Sequence, residues 1–129
     1  MEFDHAGVAT DDFDAVAGLY EALFDAPLVH EEEFDGLRVG FCDLGNGYLE
    51  LLEPLPDADG GVAGYLDRNG PGIHHLAFRT GDVAAALGLA RDAGVTPIDD
   101  EPRPGAWGHD VAFLHPDSTG GVLVEFVER

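Results

Sequence analysis

Apolar and polar residues along the chain recur with two periods, and the switches between those periods mark out its elements. Residues 3–9 alternate as a strand, with Phe3, His5, Gly7 and Ala9 on one face. Thr10-Asp11-Asp12 then supplies N-cap side chains, and Phe13, Val16, Ala17, Tyr20 and Phe24 recur at helical spacing, predicting a helix over Phe13–Leu23. Pro27 cannot continue it. A short strand is predicted over 28–33, a hairpin turn at Asp35-Gly36, and a strand from Leu37 to Leu44. Gly45-Asn46-Gly47 is a second tight turn, and Tyr48–Leu52 a fourth strand closed by Pro54. The order is β-α-β-β-β.

Residues 55–71 are rich in Pro, Gly and Asp and read as a connector. Val62, Tyr65 and Leu66 can share a face, which predicts a short helix over Val62–Asn69. Gly70-Pro71-Gly72 then runs into the apolar stretch 73–79, where Ile73, His75 and Ala77 face one way and His74, Leu76 and Phe78 the other. Thr80-Gly81-Asp82 is the next cap region, Val83–Ala93 the next helix, and Gly94 its C-cap. Strands are expected at about 95–100, 109–115 and 121–127, the last two joined through Pro116–Gly121.

The second half thus repeats the first. With His75 laid on His5, Thr80 falls on Thr10, Asp82 on Asp12, Ala85 on Ala15 and Gly88 on Gly18. Leu89 falls on Leu19, Pro97 on Pro27 and Glu101 on Glu31, eight identities over 27 positions without a gap. We read one domain over 1–129, built of module one at about 1–54, the connector at 55–71 and module two at about 72–129. The fold class is α+β: tandem β-α-β-β-β modules forming a cupped, mostly antiparallel eight-stranded sheet.

Charge narrows the partners. Twenty-six acidic residues face six basic ones, all arginine, for a net charge of -20. Such a chain repels nucleic acid and anionic membranes. Many carboxylates, no lysine and small apolar residues together suggest a protein of a salt-rich cytoplasm. Most carboxylates are then solvated surface, including Glu31, Glu32, Glu33, Asp57, Asp59, Asp99 and Asp100. No apolar run reaches the length of a membrane span, so the expected location is cytoplasmic. The lone Cys42 excludes an internal disulfide and a multi-cysteine zinc site, and reads as a buried small residue.

The repeat also carries the chemistry. Each module has a histidine on its first strand, His5 or His75, and a glutamate on its last, Glu50 or Glu125, with separations of 45 and 50 residues. Each glutamate interrupts an apolar strand, Tyr48-Leu49-Glu50-Leu51-Leu52 or Val122-Leu123-Val124-Glu125-Phe126. A carboxylate among such neighbours needs a partner or a proton. Two imidazoles and two carboxylates in symmetric pairs suit one divalent first-row metal with positions open for ligand. His74 is expected to face away.

These stretches resemble the vicinal oxygen chelate, or glyoxalase-like, superfamily, and within it the methylmalonyl-CoA epimerase family. The matching segments are 3–9, 50–55, 72–78, 100–105 and 113–125, which together run the length of the chain. The resemblance implies interconversion of (R)- and (S)-methylmalonyl-CoA by α-proton removal and redelivery through a metal-stabilised enolate. It implies one divalent ion, cobalt first and manganese, nickel or zinc as alternatives, held by His5, Glu50, His75 and Glu125. It implies an acyl-CoA as small-molecule partner and a homodimer. Inversion needs two acid/base groups.

One departure bears on them. Some epimerases of the family carry a catalytic Glu three residues after the glycine matching Gly36, where this chain has Val39, and a metal-binding Gln where it has Glu50. Glu50 and Glu125 are therefore expected to serve as both ligands and bases, Glu125 the firmer of the two; no other carboxylate on an inward strand face is an obvious rival, and a water or a loop residue is the alternative. Arg68, Arg79 and Arg103 are the candidates for CoA phosphates, since cations are so few. The rival readings are a lactoylglutathione lyase-like isomerase and a non-catalytic binding protein of the same fold. An extradiol dioxygenase fits less well, because a fourth protein ligand would crowd out dioxygen.

Overall fold

The computed structural model describes all 129 residues, Met1–Arg129. Its elements run β1 (Glu2–Ala9), α1 (Phe13–Phe24), β2 (Leu28–Phe34), β3 (Leu37–Asp43), β4 (Tyr48–Pro54), α2 (Gly61–Asn69), β5 (Gly72–Thr80), α3 (Val83–Asp92), β6 (Arg103–Pro104), β7 (Asp110–Leu114) and β8 (Val124–Glu128). The architecture is the α+β arrangement of eight strands and three helices. No helix is long and apolar enough to cross a membrane. The chain divides into two compact units, residues 5–74 and residues 75–129 together with 1–4.

In the first unit the strand order is β2-β3-β4-β1, with β4 antiparallel to β3 and parallel to β1. The β2–β3 hairpin closes through Asp35-Gly36, both at positive φ (51° and 77°), the primed turn whose twist matches that of the strands. Helix α1 covers one sheet face. Phe13 packs there with Ala26, Cys42 and Leu51, flanked by Val8, Val16 and Leu49. The Phe13 ring fills the space over Gly40, where an added Cβ would lie 2.4 Å from the ring. Cys42 is buried, and desolvation pushes its thiol above the usual range, as expected of a packing residue. The predicted connector helix forms as α2, one residue early.

In the second unit the order is β5-β8-β7-β6, with β5 parallel to β8 and β7 antiparallel to it. Helix α3 buries Val83, Ala86, Leu87 and Ala90 against Ala112, Leu114 and Phe126. Two expected strands differ. Residues 95–100 make only the isolated bridge Pro97↔Leu114, and the two-residue β6 lies further on at Arg103–Pro104. Pro97 has no N–H to donate to a ladder, and the Asp99 carboxylate accepts from the Phe113 N–H at 2.8 Å. Asp99 is thus a partly buried structural acid, not solvated surface. Strand β8 starts at Val124 instead of Gly121, because Gly120 and Gly121 sit at φ 74° and 87°, outside any strand conformation.

The helix starts repeat in atomic detail. Asp12 caps α1 by accepting from Ala15 N, and Asp82 caps α3 by accepting from Ala85 N. Thr10 and Thr80 accept from the Asp12 and Asp82 amides. A carboxylate from the last strand completes each start: Glu53 accepts from Phe13 N at 2.8 Å and Glu128 from Val83 N at 2.9 Å. An anion at a helix N-terminus satisfies an orphan donor and the helix dipole together. Glu53 follows Glu50 by three residues, as Glu128 follows Glu125. An odd offset on a strand puts the capping acid and its predecessor on opposite faces.

The second unit also holds a buried charge cluster. Asp4, fully buried, accepts from Arg79 Nε at 2.9 Å and from Arg129 Nε at 2.6 Å. Arg129 Nη1 meets His109 Nε2 at 2.9 Å, and its guanidinium lies 4.9 Å over the Trp107 ring.

Candidate active site and metal centre

The sheet face opposite each helix carries the predicted donors. In the first unit His5 lies on β1 and Glu50 on β4, and the parallel register pairs Glu50 with Gly7, two residues beyond His5. Both side chains are buried, and His5 Nε2 lies 3.3 Å from Glu50 Oε1. In the second unit Glu125 on β8 pairs with Ala77, again two residues beyond the histidine. His75 and Glu125 are buried as well, with His75 Nε2 3.6 Å from Glu125 Oε1. The residue directly opposite each glutamate on the parallel strand is small, Gly7 or Ala77. That leaves the carboxylate room to reach the imidazole diagonally.

A phenylalanine completes each pair. Phe41 is directly across β3 from Glu50 and Phe113 directly across β7 from Glu125. Each ring meets its histidine edge-on, His5 with Phe41 and His75 with Phe113, at the same centroid separation of 5.5 Å. The rings pack against imidazoles that are themselves buried. Each half of the chain therefore builds the same preorganised imidazole–carboxylate pair.

These pairs fit a metal. Ligand bonds to a divalent first-row ion are about 2.0–2.2 Å, so nitrogen and oxygen atoms 3.3 and 3.6 Å apart subtend roughly 100–120° at one ion. That is the angle between adjacent ligands, and imidazole with carboxylate is a donor set such ions accept. The structure brings His5 to Glu50 and His75 to Glu125. His74 is not part of either pair; its ring packs on Tyr65 of α2 at 5.4 Å, as its strand parity requires.

Other candidates take different roles. Of the three arginines considered for CoA phosphates, Arg79 is bound to Asp4 and Arg103 to Asp99 at 3.0 Å, while Arg68 is exposed on α2. Arg103 also lies over the Phe113 ring at 5.4 Å. The three consecutive glutamates of β2 are not equivalent. Glu31 is exposed and bound to Arg38 at 2.9 Å. Glu32 is half-buried and bound to His30, Oε2 to Nε2 at 2.5 Å. Its register partner is Val39, and His30 is paired with Phe41. Composition suggested that all three were solvated surface; register, which composition does not carry, separates them.

Comparison with known proteins agrees with this architecture. Residues 4–113 match the model of the Glyoxalase/Bleomycin resistance protein/Dioxygenase superfamily. The chain is 38% identical to an uncharacterized protein of Bacillus subtilis, over 97% of this chain and 90% of that protein. It is 36% identical to the ethylmalonyl-CoA/methylmalonyl-CoA epimerase of Cereibacter sphaeroides, over 95% of this chain and 93% of that one. A variant of Streptomyces coelicolor methylmalonyl-CoA epimerase, solved with 2-nitronate-propionyl-CoA, superposes with a TM-score of 0.91 at 40% identity, covering 99% of this chain and 94% of its own. The chain belongs to the glyoxalase/bleomycin resistance protein/dioxygenase superfamily, where its relatives include methylmalonyl-CoA epimerases.

Proposed function

We propose that the protein is a metal-dependent methylmalonyl-CoA epimerase. The observation that carries this reading is the duplicated imidazole–carboxylate pair in a chain 34–40% identical to epimerases along most of its length. In this reading His5, Glu50, His75 and Glu125 hold one divalent ion, cobalt first. Bound there, the ion would supply Lewis acidity toward the thioester carbonyl and the carboxylate that flank the substrate's reacting carbon.

The protein's own part is to hold the substrate and to move one proton. Glu125 takes the α-proton on one face or returns it there. The opposite face needs a second acid/base group, and Glu50 is the symmetric candidate. Both carboxylates are buried. The reading includes a homodimer, which light scattering tests, and a cytoplasmic setting. An acyl-CoA with a malonyl-type head, methyl- or ethyl-substituted, is the substrate class.

The test is a coupled assay on racemic methylmalonyl-CoA in molar salt, with and without chelator. Complete conversion of both enantiomers, lost on chelation and restored by cobalt(II), is expected. Half conversion irrespective of metal refutes the reading. Turnover of a glutathione hemithioacetal instead would move the protein to the lactoylglutathione lyase side of the superfamily.

A further inference from the structure

In module one the inward sheet face carries a second acid–imidazole pair that the metal does not use. Register defines that face. His30, Phe41 and Glu50 stand directly opposite one another across β2, β3 and β4, and so do Glu32, Val39 and Leu52. Directly opposed residues share a face, so His30 and Glu32 point to the side on which Glu50 and His5 meet. Phe41 links the two pairs, its ring 5.5 Å from that of His5 and 6.2 Å from that of His30. Val39, Phe41 and Leu52 are buried apolar groups, and the half-buried Glu32 and His30 stand beside them, at the rim of the face that holds His5 and Glu50.

We propose that Glu32, oriented by His30, is the second acid/base residue of the reaction, leaving Glu50 as a ligand alone. This rests on the epimerase reading and replaces Glu50 in one role. A carboxylate bound to a divalent cation has given up part of its basicity to the ion. Glu32 carries no such burden. His30 Nε2 holds its Oε2 at 2.5 Å and so orients the carboxylate. The step balances without a co-reactant. The Glu32 carboxylate accepts the α-proton, and the electron pair of the broken C–H bond passes into the thioester carbonyl as an enolate. A new C–H bond then forms on the other face with the proton of Glu125, and the reverse enantiomer uses the two groups in the opposite order.

The repeat itself argues for a special role here. The ligand pairs, phenylalanines and helix caps are duplicated, but where Glu32 stands opposite Val39 in module one, Arg103 stands opposite the equivalent Val111 in module two. Inversion needs one acid/base group on each face of the carbon, and a carboxylate found in module one alone, off the ligand pair, can supply one of them.

The experiment compares Glu32→Gln, Glu50→Gln and His30→Gln with the wild type. Bound cobalt, the circular dichroism midpoint, kcat and KM for each enantiomer, and solvent deuterium uptake are measured for each. Glu32→Gln should keep its cobalt and its fold, and lose kcat by roughly 10²–10⁴ with little change in KM. It should still exchange the α-proton of one enantiomer without inverting it. Glu50→Gln should hold cobalt more weakly and, per bound cobalt, lose less kcat than Glu32→Gln. His30→Gln, which keeps the carboxylate, should fall between them. A folded, cobalt-loaded Glu32→Gln that epimerises at the wild-type rate overturns the inference while the epimerase reading stands. A wild type inactive on methylmalonyl-CoA overturns the epimerase reading and this inference with it.

Discussion

Asp4 offers the sharpest test of what holds the second unit together. It is one anion, fully buried, between two guanidinia. Arg129 is bound at both carboxylate oxygens, by Nε at 2.6 Å and Nη2 at 3.3 Å, and its side chain is 14% exposed. Arg79 is 36% exposed, so its share is screened by solvent and counts for little. Removing one partner of a buried ion pair costs about 3–5 kcal/mol, because a buried charge is left behind. The screening of Arg79 puts Asp4→Ala at the low end, about 3 kcal/mol. For a chain of this length each kcal/mol lowers the midpoint by roughly 3–5 °C, so Asp4→Ala should melt about 10–15 °C below the wild type. Asp4→Asn keeps the shape and an acceptor but not the charge, and should lose about half as much. Both are measured by thermal circular dichroism in dilute buffer and in molar KCl. Salt screens exposed charges far more than buried ones, so the gap between variant and wild type should survive in KCl. A gap below about 3 °C in both conditions, or one that closes in salt, refutes the reasoning.

Gly40→Ala should cost about 1–3 kcal/mol, read as a lower midpoint, because its methyl would meet the Phe13 ring at 2.4 Å. Metal analysis after loading and dialysis should give one cobalt per chain, with His5→Ala and His75→Ala each abolishing retention; two per chain would mean that each imidazole–carboxylate pair binds its own ion. Burial and the neighbouring Arg129 guanidinium hold the His109 imidazole below its ordinary value of 6.5, so on acidification the unfolded chain takes up this proton first. His109 therefore contributes stability above pH about 6.5 that is lost as pH falls toward its folded value, and His109→Gln should flatten that stretch of the stability–pH curve. The charge of -20 predicts a midpoint that rises between dilute buffer and molar KCl; an unchanged midpoint would mean that self-repulsion is unimportant.

The local features were legible because their physics is local. Thr10-Asp11-Asp12 and Thr80-Gly81-Asp82 announce helix starts, since an N-cap acts over three residues, and α1 and α3 begin where expected. Asp35-Gly36 announces a primed turn for the same reason. Parity along β5 separated His75 from His74. What the sequence did not carry was anything set by register or by distant partners. Asp4 meets Arg79 and Arg129 from 75 and 125 residues away, and no spacing rule links them. Nothing local marks Glu53 and Glu128 as caps; only the packing of helix on strand makes them so. The missing strand at 95–100 reflects Pro97 and a competing Asp99 side chain, which break a ladder that an apolar pattern alone would allow.

Register also explains why a spacing of 45 residues in one module and 50 in the other can give the same chemistry. What brings histidine to glutamate is not the count between them but the parallel pairing of a module's first strand with its last. Glu50 lands opposite Gly7 and Glu125 opposite Ala77, two residues past the histidine in each case. Extra residues between can be absorbed in loops, as between Leu114 and Val124, without moving either end of the pair. A one-residue slip could not be absorbed, because it would turn the glutamate to the helix-covered face and put the capping acid three positions on into the site. Each last strand thus carries two carboxylates of opposite parity, one closing the helix start and one facing the histidine. The helix cap and the imidazole–carboxylate pair lock the same register from opposite faces, so the element that stabilises the fold also aligns the candidate ligands.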